Sequence, residues 1–139
     1  MPRIERTADV SWEGNVARGS GTITAGTGAF TGLPYSLPAR IGANADKTSP
    51  EELLAAAHAG CLTMGIATEL TQAGTPPDRL DVTCRIVMDE VEGQGHQIVA
   101  SQVTVRGDVP EDLLAKADEG CPFSTLLKNA GVEVTITRS

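Results

Sequence analysis

One segment constrains the fold more than any other. Between Ser49 and Gly74 runs an almost unbroken apolar stretch, with a helix start at one end and a helix stop at the other. Ser49-Pro50-Glu51-Glu52 offers a hydroxyl at the N-cap, proline at the first helical position and a glutamate placed to close a capping box. Gly74 followed by Pro76-Pro77 ends the helix near residue 73. At 1.5 Å per residue such a helix is about 36 Å long. Its apolar residues surround nearly the whole circumference, so most of its sides must be covered. A chain of 139 residues is one domain by length, with material for one core, and a single copy struggles to cover that helix. The sequence therefore points to a dimer. The run from Leu53 to Leu70 also carries His58, Thr63, Thr68 and Glu69 among many alanines and glycines, which suits a buried helix better than a membrane span.

The flanking segments read differently. Before the helix, short strands punctuated by glycine are expected over Thr7–Trp12, Val16–Thr24 and Tyr35–Ile41. After it, Leu80–Val91 and Gln97–Val109 alternate as a long hairpin around the turn Glu92-Gly93-Gln94-Gly95-His96. Pro110 opens a second helix ending near Gly120, and Pro122 opens a third stopped by Gly131. Val132, Val134 and Ile136 alternate in a closing strand. The order β-β-β-α-β-β-α-α-β predicts an α+β fold with a mainly antiparallel sheet and a long central helix, in one domain over residues 1–139.

Charge and composition exclude several functions. Eleven basic against 18 acidic residues leave a net charge of −7, and the aromatics number only four (one Trp, one Tyr, two Phe). Such a surface repels phosphate backbones and lacks stacking platforms, so neither nucleic acid nor an anionic membrane is an expected partner. The N-terminus, Met1-Pro2-Arg3-Ile4-Glu5-Arg6, has no apolar stretch of the secretory kind. Three cysteines without zinc spacing fit neither a disulfide framework nor a zinc module. The expected compartment is the cytoplasm, where paired cysteines are more often catalytic than structural.

Two of those cysteines stand in contexts that suggest a dithiol redox pair. Cys61 lies deep in the long helix, twelve positions past its N-cap and beyond the turn where a helix dipole lowers a thiol pKa. An active Cys61 therefore needs a cation nearby, and Leu54, Ala57, Met64, Gly65 and Thr68 would form an apolar wall on its face. Cys121 precedes Pro122, which makes it an N-cap whose sulfur meets unpaired backbone N–H groups; that favours thiolate and access. Cys84 alternates with Val82, Ile86 and Met88 and reads as core. His58 is one helical turn before Cys61, which raises a Cys61/His58 hydrolase, although no third orienting group is evident and a packed imidazole is the commoner use. His96 and the acidic positions from Asp108 to Glu119 read as solvated.

At these residues the chain resembles the OsmC/Ohr family of thiol-dependent organic hydroperoxide reductases, in its OsmC-like branch. The matching segments are Trp12-Glu13-Gly14 with Arg18-Gly19, Pro34-Tyr35 with Arg40, Thr48 through Cys61, and Gly120-Cys121-Pro122. The resemblance implies that Cys61 is the peroxidatic cysteine and Cys121 the resolving one. It makes Glu51 the partner of an arginine that polarises the thiolate: Arg40 by the OsmC-like alignment, Arg18 by the Ohr-like one. It also implies an intertwined homodimer with active sites at the interface. Glu51 is ten positions before Cys61, about 15 Å along one unbroken helix, so a shared site would take the glutamate from the partner chain. Gly60 and Leu62 stand where alanine and phenylalanine are commoner, and Leu62 is expected to alter the pocket wall.

The implied chemistry is reduction of an organic hydroperoxide through a Cys61 sulfenic acid and a Cys61–Cys121 disulfide, reopened by an external dithiol of the lipoyl type. It calls for no metal, flavin or haem. The rivals are a structural or binding homodimer with inert cysteines and the Cys61/His58 hydrolase.

Overall fold

The computed structural model describes residues 2–43 and 45–139; Met1, the first residue of the N-terminal stretch read above, and Asn44 lie outside the described residues. The chain divides into two compact units, Met1–Pro50 and Glu51–Ser139.

In the first unit β1 (Ala8–Glu13), β2 (Ser20–Ala25) and β3 (Leu33–Tyr35) form an antiparallel sheet in the order β1-β2-β3. Gly21 lies opposite both Trp12 and Tyr35, whose rings meet edge to face with centroids 5.5 Å apart. A Cβ at Gly21 would stand 2.4 Å from the Tyr35 ring and 2.8 Å from Trp12, so the crossing of the two rings requires glycine there. Two expectations need correction. The strand expected from Val16 starts only at Ser20, because Asn15 turns the chain: its backbone carbonyl accepts from Gly19 N and its side chain from Arg18 N. The strand expected from Tyr35 to Ile41 instead ends at Tyr35. Ser36 Oγ accepts from Ala39 N and, with Pro38 in the first turn, starts the short helix α1 (Leu37–Ile41).

The second unit is built on α2 (Pro50–Gln72), close to the length expected. A helix of this length and composition could cross a membrane, and 22% of its apolar window is buried inside the protein, less than the buried helix expected. What is buried is one stripe at i, i+4 spacing, His58, Leu62, Ile66 and Leu70, while Met64 is 74% exposed. The hairpin β4 (Asp81–Val91) and β5 (Gly95–Arg106) pairs antiparallel, with an irregularity between Val87 and Met88. Two helices, α3 (Glu111–Gly120) and α4 (Pro122–Asn129), lead from β5 to β6 (Glu133–Arg138). That crossover returns β6 parallel to β5. Among the described residues the fold is thus α+β, with two three-stranded sheets in place of one and a single parallel pair. The core joins the α2 stripe to Val103, Val105, Val109, Leu114, Ala117 and Cys121.

Candidate active site

Both site cysteines belong to the second unit, and α4 is what brings them together. The N–H groups of the first turn of a helix have no partners inside the helix. Cys121 adopts an extended conformation at the junction of α3 and α4, and its Sγ accepts from Ser124 N at 3.5 Å. The N-cap role read from Gly-Cys-Pro is therefore present. The access inferred with it is not: Cys121 is 2% exposed and lies within the core cluster. Chain continuity explains this, since the cap sits where two short helices turn against the buried stripe.

Cys61 is half-buried and packs against the same core. The groups that bear on its thiol are Cys121 and the backbone N–H of Phe123, in the first turn of α4. The N-terminus of a helix other than its own is therefore among its surroundings. Burial pushes its pKa up, the neighbouring Cys121 pushes it further up, and the Phe123 N–H alone pulls it down. The net direction is towards a neutral thiol.

His58 has no role as a base for Cys61 in this arrangement. The ring is fully buried, with Nδ1 2.6 Å from Ser101 Oγ and Nε2 2.7 Å from Ser124 Oγ. Both nitrogens are engaged by hydroxyls, and burial lowers the imidazole pKa, opposed by Asp118 and reinforced by Lys128. Ser101 Oγ also lies 3.3 Å from Cys84 Sγ, so Cys84 edges this polar cluster as well as packing on the core. Ser101 and Ser124 escaped the sequence reading. Ser101 carried a signal, a hydroxyl on the buried face of β5 in step with Val103 and Val105. Of the acidic positions from Asp108 to Glu119, Asp118 alone is less solvated than expected: it pairs with Lys128, and its second carboxylate oxygen is buried without a hydrogen-bond partner. Leu62 is 0% exposed on the core stripe, so it backs the site rather than lining an open wall.

The arginines belong to the first unit. Arg40 is exposed in the last turn of α1. Arg18, also exposed, lines a cavity of about 660 Å³ with Ser20, Ser36, Asp46 and Lys47. Glu51 opens α2, whose 23 residues run without interruption past Cys61.

A sequence match to the OsmC-like protein family covers residues 43–137. The chain is also 34% identical over 140 residues to the peroxiredoxin OsmC of Escherichia coli, covering 96% of this chain and 94% of that one. The chain belongs to the OsmC family. Solved structures agree on the fold. An organic hydroperoxide resistance protein from Elizabethkingia anophelis aligns over 100% of this chain and 99% of its own, with a TM-score of 0.76 at 23% identity. OhrB of Bacillus subtilis aligns over 96% and 98%, with a TM-score of 0.74 at 24% identity. Membership in the family supports a peroxiredoxin-like function.

Proposed function

We propose that this chain is a cysteine peroxidase that reduces organic hydroperoxides to alcohols. The observation that carries the reading is that Cys61 packs against the core cluster holding Cys121, whose sulfur caps the N-terminus of α4. A sulfenic acid formed on Cys61 would have its resolving thiol close by.

In this scheme the Cys61 thiolate attacks the terminal oxygen of ROOH. The O–O bond breaks, sulfur takes the OH as a sulfenic acid, and the alkoxide leaves and is protonated to ROH. Cys121 then attacks the Cys61 sulfur as thiolate, expelling hydroxide that leaves as water and forming the disulfide. Of the two sulfurs Cys61 is the less buried. An external dithiol, of the lipoyl type by family, would therefore attack Cys61 and release Cys121 as the leaving thiolate beside the Ser124 N–H. Its second thiol then displaces Cys61 and closes the reductant's own disulfide.

With its pKa raised, the Cys61 thiol needs a cation to become a thiolate at neutral pH. We assign it to Arg40 held by Glu51, with Arg18 as the alternative. Because α2 is continuous, Glu51 stands about 15 Å from Cys61 of its own chain. The pair would therefore come from a second copy, in a homodimer of single OsmC-like domains. The exposed Met64 on α2 and the wholly exposed β1 leave apolar surface for such a partner. The enzyme is assigned to the cytoplasm.

The deciding test is a single turnover of fully reduced protein with one equivalent of cumene hydroperoxide, read by intact mass and peptide mapping. A loss of two hydrogens with a Cys61–Cys121 linkage is expected. Unconsumed peroxide and unchanged mass would overturn the reading. Arg40→Ala and Arg18→Ala, compared in the same assay, identify the cation by which one slows sulfenic acid formation, on the order of a hundredfold.

A further inference from the structure

His58 is a buried, hydrogen-bonded side chain that the proposed chemistry does not use. It projects from α2 one turn before Cys61, and both of its nitrogens are spent on serine hydroxyls from other elements. The two hydroxyls are not equivalent. Ser101 belongs to β5. Ser124 belongs to the first turn of α4, and its backbone N–H is the group that caps Cys121 Sγ. The residue before it, Phe123, has a backbone N–H that pulls the Cys61 pKa down. One imidazole on α2 therefore holds the helical turn that carries the resolving sulfur.

We propose that His58 is a positioning residue for the dithiol site, anchoring the α4 N-terminus through Ser124 so that Cys121 stays beside Cys61. The inference rests on the Cys61–Cys121 pairing proposed above. A buried imidazole suits the task because it presents a donor on one nitrogen and an acceptor on the other at fixed angles, and hydroxyls can satisfy either. Leaving either serine unpaired in the core carries a desolvation cost, so the bonds resist opening. Ser101 steadies the ring from the side away from α4, and Cys84 closes that end of the cluster.

The test needs no peroxidase activity. Reduced protein is treated with diamide, whose N=N bond takes up the two electrons and two protons lost as the Cys61 and Cys121 thiols join. Disulfide formation is followed by peptide mapping. In parallel, the pH profile of Cys61 alkylation by iodoacetamide reports its thiol. Ser124→Ala and His58→Leu should slow the disulfide by about threefold to tenfold, the worth of one buried hydrogen bond, and move the alkylation midpoint to higher pH. Ser101→Ala, which leaves the Ser124 bond in place, should keep both readouts near those of the unmodified chain even where it lowers the melting temperature. If His58→Leu does not fold, Ser124→Ala and His58→Gln decide. Folded Ser124→Ala with unchanged rate and profile would overturn the inference. So would Ser101→Ala slowing the disulfide equally, since the cluster would then act only as core. An unmodified chain that forms the disulfide with diamide yet ignores cumene hydroperoxide would sink the peroxidase and leave the positioning role to be judged by the variants. One that forms no disulfide with either oxidant would overturn both.

Discussion

The two units bury their side chains to very different degrees. In residues 51–139 a continuous apolar core runs through Leu62, Ile66, Leu70, Val103 and Val105, each 0–1% exposed. In the first unit the buried positions among the described residues include Ile23, Ala39 and Ser36, at 6–8% exposure, while β1 is exposed along its whole length. Val10 at 57% and Trp12 at 37% are large side chains to leave in water on an ordered strand. The contrast separates two kinds of work. The second unit carries its own hydrophobic stabilisation and both thiols. The first carries the two candidate arginines, Arg18 and Arg40, and an uncovered face, which fits a chain whose site is completed by another copy.

The largest effect that would break this division is chemical. Cys61→Ser should abolish peroxide consumption, by about a thousandfold or more in a stopped-flow assay, with the fold intact by circular dichroism. Residual turnover of that variant would move the nucleophile elsewhere and end the assignment of chemistry to the second unit.

Next in size is the difference between the cores. Ile66→Ala should cost about 2–5 kcal/mol in denaturant unfolding, because the site is fully buried and cannot refill. At Val10 the same truncation stays within about 0.5 kcal/mol if β1 faces only water. A larger loss that grows on dilution, read by sedimentation together with unfolding, would place β1 in an interface between copies.

The smallest effect sharpens the description of the second unit. Burial lowers the His58 pKa, so the unfolded chain binds a proton there that the folded chain does not. Between the folded value and the ordinary value near 6.5, stability rises with pH and falls as the solution is acidified. The slope from this one group approaches about 1.4 kcal/mol per pH unit. His58→Leu should remove that component below about pH 6.5 in unfolding titrations, and a slope identical to the unmodified chain would show that His58 charges freely in the fold.

Much of the second unit was legible in advance because its signals are local. Pro50 and Gly74 bound α2, and the alternation of Val103 and Val105 marks the buried face of β5. Pro122 after Cys121 marks the start of α4 with its sulfur cap. The first unit was less legible for an equally local reason, competition between elements. Tyr35–Ile41 has strand-like composition, yet Ser36 and Pro38 together offer a better helix start than the strand offers pairing. At Asn15, side-chain and backbone acceptors hold a turn that outweighs the apolar residue following it.

The sequence by itself determined the element types outside Tyr35–Ile41, the long helix and its polar exceptions, the family, and Cys61 and Cys121 as the thiols of interest. These follow from periodicity, caps and motif, all of which act over a few residues. Only the tertiary structure decided what those thiols feel. Cys61 lies too far along α2 for its own helix to help it, yet the Phe123 N–H in the first turn of α4 pulls its pKa down. Cys121 gained its cap but lost the exposure expected of it. His58 proved to be tied to Ser101 and Ser124, 43 and 66 positions away. Burial, hydrogen-bond partners and local field depend on which distant segments meet, and a linear pattern does not carry that.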